Sequence, residues 1–262
     1  MTQTLTEPEP IQLALARSRR LLADRGIDPE HRVGVDDLGN PVTTADLHVR
    51  LGAVAASEKS GQAPTHMLAR LALAAALPSE TADTLFLAYN QQSAEEAGHG
   101  DKVFGNAYYA MGGCDLRPEQ SAFRDVNPAA FQPSDDPKEN LLRLCTIAGA
   151  LGGIEVVALQ GAFPTLVSWC EHWEHPVAHD LQRQIRDVVR PEESRHVLTW
   201  RYVFHQLIAP KGDAAIAAYL DATNLGRRTI GAPDLDHATL RRQLGQTAPT
   251  PRQLLGKERN LA

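Results

Sequence analysis

Glu58, Glu96 and His99 recur ninety-seven residues later as Glu155, Glu193 and His196. The offsets match: 96−58 and 193−155 both give 38, and 99−58 and 196−155 both give 41. Each half of the chain therefore carries a lone Glu followed by a Glu-x-x-His. On a helix, residues three apart share a face. Four carboxylates and two imidazoles converging inside a helical bundle make a site for two metal ions.

One Glu-x-x-His alone carries little information. With 15 Glu and 10 His in the chain, roughly 0.6 such pairs arise by chance. The lone Glu at the same offset upstream of both pairs is what separates this pattern from two exposed helices with ordinary charge pairs. Carboxylate with neutral imidazole suits Fe(II), Mn(II) or Zn(II) rather than Cu(I). The pattern assigns Glu58 and His99 to one metal and Glu155 and His196 to the other, with Glu96 and Glu193 as bridges. Glu95 and Glu192 sit about 100° from the ligands on their helices and read as solvent-facing or supporting. Arg190, Arg195, Asp101 and Asp187 are candidates to support the two histidines, although charged side chains are mostly exposed. The small-residue run AGALGG at 148–153 beside Glu155 reads equally as space for a substrate or as close helix packing. His172, His175 and His179 cluster at a turn far from the carboxylates and read as surface. Trp169 and Trp200 read as core. Tyr89, Tyr108 and Tyr109 read as buried or as electron relays.

The elements that must hold these residues are helical. Residues 11–25 form an amphipathic helix ended by Gly26 and Pro29, and a loop follows to Pro41. Thr43 or Thr44 caps a long helix carrying Glu58, which Gly61 and Pro64 should kink or break. Ser79 caps a second long helix carrying Glu96 and His99 and ending near Gly112-Gly113. Residues 114–137, rich in proline, form a long crossover. A third helix starts near Pro137, carries Glu155 and is disturbed at Pro164. A fourth runs from about Val177 to Ile208 with Pro191 inside it, perturbing the ladder two residues before Glu193. A further helix covers 213–226 with Gly226 as its stop, and the remainder is a tail with room for a short helix. Geometry is consistent: the arms from each ligand to its hairpin turn, 17 to 21 residues, are ~25–30 Å long at 1.5 Å per residue. Both hairpins therefore bring their ligands level.

Composition agrees with helix. Hydrophobic residues make up 43 % and aromatics 5 %, with alanine and leucine dominant. The net charge of −6 argues against a nucleic-acid surface. Cys114, Cys145 and Cys170 are odd in number and contain no Cys-x-x-Cys, which excludes a rubredoxin-type iron centre and a disulfide framework. Three reduced thiols, no apolar leader in MTQTLTEPEPIQ and no run of eighteen apolar residues point to a cytoplasmic chain that does not span a membrane. Residues 1–10 are expected to be disordered.

The run Glu95-Glu96-Ala-Gly-His99-Gly100-Asp101, followed by Tyr108 and Gly112, resembles the first metal motif of the soluble acyl-carrier-protein desaturases. Glu192-Glu193-Ser-Arg-His196 is a looser match to their second. The chain thus resembles the ferritin-like di-iron oxidase and oxygenase superfamily, over roughly residues 42–208. That resemblance implies an all-α, ferritin-like four-helix bundle with one long crossover, plus extra N- and C-terminal helices. It implies a single domain over 1–262, with 1–10 and about 232–262 peripheral.

It also implies two Fe ions, or Mn/Fe, with O2 as co-substrate and the six repeated residues as the catalytic metal ligands. A small organic substrate, a ferredoxin or flavin reductase as electron donor and a homodimer complete the expectation. Particular branches of the superfamily fit less well. The position of the radical tyrosine of ribonucleotide reductase small subunits is Val103, that of the third histidine of p-aminobenzoate-type N-oxygenases is Val189, and the cysteine-bound iron of rubrerythrins has no ligands. The wider spacing in the second half departs from the desaturases, so their substrate is not carried over. Hydroxylation, desaturation, N-oxygenation and C–C cleavage stay open. The alternatives are an iron-oxidising or iron-handling protein of the ferritin kind, and a helical binding protein with structural carboxylates.

Overall fold

The computed structural model describes residues 11–36, 38–117, 121, 123 and 131–256. The expectation of disorder for residues 1–10, most of the crossover and the end of the tail fall outside them. The described chain is mostly helical. Helix α1 is Ile11–Asp24, α2 Thr44–Ala74 and α3 Ser79–Gly98. A π-helical segment, His99–Phe104, leads into α4, Gly105–Ala110. Helix α5, Pro137–Val157, passes through a π segment, Ala158–Ala162, into α6, Phe163–Glu171. Helix α7, Pro176–Gln184, passes through Ile185–Val189 into α8, Arg190–Val203, and a last π segment, Phe204–Ile208, follows. Helices α9 (Asp213–Thr229), α10 (His237–Leu244) and α11 (Pro251–Leu254) complete the chain.

Local chemistry explains most of these ends. The Thr43 hydroxyl and amide both donate to the Asp46 carboxylate at the start of α2, which is a cap. Asp136 caps α5 by accepting from the Lys138 amide, with Pro137 in the first turn. Thr250 and Gln253 close a capping box on α11.

Three expectations need correction. The segment before Pro41 is not all loop: β1 (Arg32–Val35) pairs antiparallel with β2 (Pro41–Thr43). Val33 and Val42 are buried, and the Asp36 carboxylate closes the turn by accepting from Leu38, Asn40 and the Asn40 amide group. Pro64 does not break α2, which continues through it. The loss of one backbone donor, about 3 kcal/mol in an isolated helix, is outweighed by buried residues on both sides, Ala55 and Ala56 before it and Met67, Leu68 and Ala69 after it. Gly226 does not stop α9, which runs on to Thr229.

Pro164, Pro191 and Pro210 share a pattern. Each stands two residues after the end of a π segment, Ala158–Ala162, Ile185–Val189 and Phe204–Ile208. A proline ring collides with the carbonyl four residues back. A widened turn moves that carbonyl aside, as where the Arg190 amide bonds to Ile185. The disturbance expected around Pro164 and Pro191 is therefore a π bulge rather than a break.

The helical run Pro137–Glu171 is long and apolar enough to cross a bilayer by length and composition, with mean hydropathy 1.7 in its most apolar window. Half of that window is buried within the protein, as in a core helix.

The chain divides into two compact units. The first comprises Met1–Gln62, Glu95–Val126 and Ala162–Arg190. Its core holds Leu22, Leu47, Leu51, Phe104 and Phe163, the last two stacked at 5.6 Å. Trp169 lies against the hairpin: a Cβ on Gly34 would come 2.8 Å from its ring, so that strand position admits only glycine without a shift. The second unit comprises Ala63–Ala94, Asn127–Gly161 and Pro191–Ala262. There α5 and α9 lie against each other. A Cβ on Gly153 would meet the Thr223 carbonyl at 2.1 Å, and one on Gly226 the Ala150 carbonyl at 1.8 Å. Gly152 admits the Trp200 ring, 2.0 Å from where its Cβ would be. The run at 148–153 is thus filled by neighbouring helices, which settles its two readings in favour of close packing.

Candidate metal centre

Each repeated triad falls within one unit. In the first, α2 carries Glu58, the end of α3 carries Glu96, and His99 opens the following π segment. All three are buried, His99 to 1 % exposure. His99 Nδ1 lies 3.1 Å from Glu58 Oε2. Glu96 lies beside Gly61, where a Cβ would come 2.9 Å from its Oε2. Gly100 performs the same service one turn on, since a Cβ there would meet the Lys59 backbone nitrogen at 2.7 Å. Gly61 thus leaves room for the Glu96 carboxylate, and Gly100 lets the backbone beside His99 come close to that beside Glu58. Lys59 and Asp101 flank the pair on the outside, joined at 2.9 Å and both about half exposed.

In the second unit, Glu155 lies near the end of α5, and Glu193 and His196 lie on α8. All three are buried, Glu193 to 1 % exposure. Their ligand atoms all lie within 4.8 Å of one another. His196 Nδ1 is 3.3 Å from Glu193 Oε2 and 3.7 Å from Glu155 Oε2. In both triads the same ring nitrogen, Nδ1, faces the carboxylates, so Nδ1 is the donor atom each imidazole offers to a cation.

Burial first, and the neighbouring Glu193 carboxylate second, push the Glu155 carboxyl up to about 8, against the opposing pull of His196. Two carboxylates beside one imidazole in a dry setting are short of positive charge. A divalent cation supplies what the imidazole alone does not. The donor set present therefore fits a metal of intermediate hardness.

Sequence reasoning missed Gln92. It is buried, and its amide donates to Glu155 Oε1 at 2.7 Å. The signal was present in the chain: Gln92 stands one turn before Glu96 on the same face of α3. By this bond it fixes which Glu155 oxygen remains for a metal. The other proposed supporting groups lie elsewhere. Arg190 and Asp187 are exposed, Asp101 pairs with Lys59, and Arg195 lies 3.8 Å from Glu192. His175 caps α7, accepting from the Val177 amide, and stacks on Trp173 at 4.3 Å. Trp200 is buried and Trp169 half-buried. Tyr89 and Tyr108 are buried, and Tyr109 is partly exposed. Cys145 and Cys170 are buried, Cys114 exposed.

No family model matches the chain, and no solved structure matches it. Part of the chain, 42 % of it, is 30 % identical over 118 residues to Pectinesterase 2 of Arabidopsis thaliana. A match of the same extent, 31 % identical, is to Pectinesterase/pectinesterase inhibitor 3 of the same plant. The chain spans about a fifth of the length of these relatives, 19 % in each, too little to carry their activity across. Neither name bears on a carboxylate and histidine centre.

Proposed function

We propose that each triad holds a metal ion, and that the protein is a non-haem di-iron oxidase or oxygenase of ferritin-like architecture acting on a small organic substrate. The observation that carries this reading is the repeat itself: two buried triads at identical spacing, each folded so that imidazole Nδ1 meets a glutamate. Glu58, Glu96 and His99 would hold one ion, and Glu155, Glu193 and His196 the other. Two ferrous ions bound there would supply electrons to O2 in pairs.

The chain's own residues supply the setting. Burial of all six side chains excludes water and strengthens every charge interaction. Gln92 orients Glu155, and the proton held on Glu155 leaves when a cation arrives. A reductase-type donor, a ferredoxin or a flavin reductase, would return electrons between turnovers. A homodimer in the cytosol, working in biosynthesis, completes the proposal.

The test is an anaerobic Fe(II) titration followed by rapid mixing with O2, monitored optically. Two Fe per chain and a transient absorbance are expected. A stoichiometry near zero or one, or no reaction with O2, would overturn the reading. A large shell assembly that accumulates ferric iron would favour iron handling instead.

A further inference from the structure

The second unit contains a cavity of about 360 Å³ at one end of the α5–α9 seam, within the size range of small-ligand sites. Its walls include Leu141, Leu142, Ile208 and Ala218, and its only charged lining residues are Lys138 and Lys211. Thr146, the nearest lining residue to Glu155 along α5, is nine residues from it, about 14 Å along the helix. The cavity is therefore distinct from the second triad.

Polarity along the wall is sharply divided. Thr146 spends its hydroxyl on the Leu142 carbonyl at 3.0 Å, and Tyr219 spends its own on the Trp200 carbonyl at 2.9 Å. Burial pushes the Cys145 thiol up to about 11, so it lines the cavity as a neutral, apolar group. The two lysine ammonium groups are left, and neither makes an ion pair among the described residues. They are two of only five lysines in a chain of net charge −6.

Helix direction places them at one end. Gly149 meets Tyr219 and Ala222, and Gly153 meets Thr223 and Arg227. Sequence numbers rise together along both helices, so α5 and α9 run parallel. Their N-termini share one end of the seam, and Lys138 and Lys211 flank those N-termini. Asp136 already caps α5, and Asp213 opens α9, so the positive charge that faces the cavity comes from the two lysines and not from the helix ends. An apolar cavity whose only charged lining groups are two lysines matches one kind of molecule, an apolar tail with a single anionic head.

We propose that this cavity binds a single-chain alkyl carboxylate of the fatty-acid type, its chain along Leu141, Leu142 and Ile208 and its carboxylate between Lys138 and Lys211. The assignment is independent of the metal centre.

Calorimetric titration of the full-length protein with decanoate tests it. One site per chain is expected, with no comparable heat from decyltrimethylammonium, whose tail is the same and whose head is reversed. The K138E/K211E double variant should lose at least about tenfold in affinity, the size of a charge-assisted contact. Both lysines are exposed, so thermal unfolding of that variant should match the parent. A second variant, Leu142→Glu, changes a side chain that is 68 % exposed and should weaken decanoate through the tail. Equal binding of the cationic amphiphile, or decanoate affinity unchanged in both variants, would overturn the proposal.

Discussion

Glu155 shows how far its surroundings can move one carboxyl group. With its carboxyl held up to about 8 by burial and by Glu193, it is mostly protonated at neutral pH in the metal-free protein. A cation must expel that proton. Metal affinity should therefore rise as pH climbs from 6 to 8 and level off above. Proton release on metal uptake, measured by calorimetry in two buffers of different ionisation enthalpy, should be larger at pH 7 than at pH 9. Release independent of pH would mean that Glu155 holds no proton for a cation to expel. The six candidate ligands were legible in the sequence because helical spacing repeats. Gln92 was not singled out, because an uncharged amide has no spacing rule of its own and its role appears only once Glu155 lies 2.7 Å away.

At the scale of elements, glycines and prolines mattered more than helix propensity. Gly226 reads as a stop by its type, yet it is the point where α9 touches the Ala150 carbonyl. Gly226→Ala would put a methyl 1.8 Å from that oxygen, backbone that has nowhere to turn. Overpacking of this kind costs about 1–3 kcal/mol, so a fall in Tm of roughly 2–12 °C is expected by calorimetry. An unchanged Tm would mean that the seam yields where this packing says it cannot. The start of α3 at Ser79 and of α5 at Pro137 was readable because proline marks a helix start locally, Pro78 just before α3 and Pro137 in the first turn of α5. The hairpin at 32–43 was not, since its strands are three and four residues long and only Val33 and Val42 face inward. The π bulges were half legible: the prolines marked where the ladder had to change, but not that it would widen instead of stopping.

For the whole molecule, one buried group that ties stability to acid pH is His48. It is fully buried, its Nδ1 lies 2.9 Å from the Ser18 hydroxyl, and its ring stacks on Tyr108 at 4.5 Å. Burial first, then Arg17, pull it down to about 4. The unfolded chain, near 6.5, binds this proton more readily than the folded one. The contribution of His48 is therefore complete above pH 6.5 and is lost as pH falls from 6.5 to 4, on the order of 3 kcal/mol in all. Denaturant unfolding of the metal-free protein across that range should show the loss, and His48→Gln should flatten it. A parallel loss in both proteins would place the sensitivity elsewhere.

The α5–α9 seam has one more consequence. Glycine carries a hydrogen where other residues carry Cβ, and at Gly226 that hydrogen points at the Ala150 oxygen. The Cα itself can stand no more than about 3.3 Å away, given 1.8 Å to the Cβ position and one carbon–carbon bond. Such weak C–H···O hydrogen bonds hold backbones together without a side chain between them. Where Gly153 and Gly226 bring the two backbones together, the seam has no side-chain layer between them to loosen. Amides of Leu151 to Ile154 and of Thr223 to Arg227 should then exchange with deuterium only when the second unit opens as a whole, the slowest class in that unit.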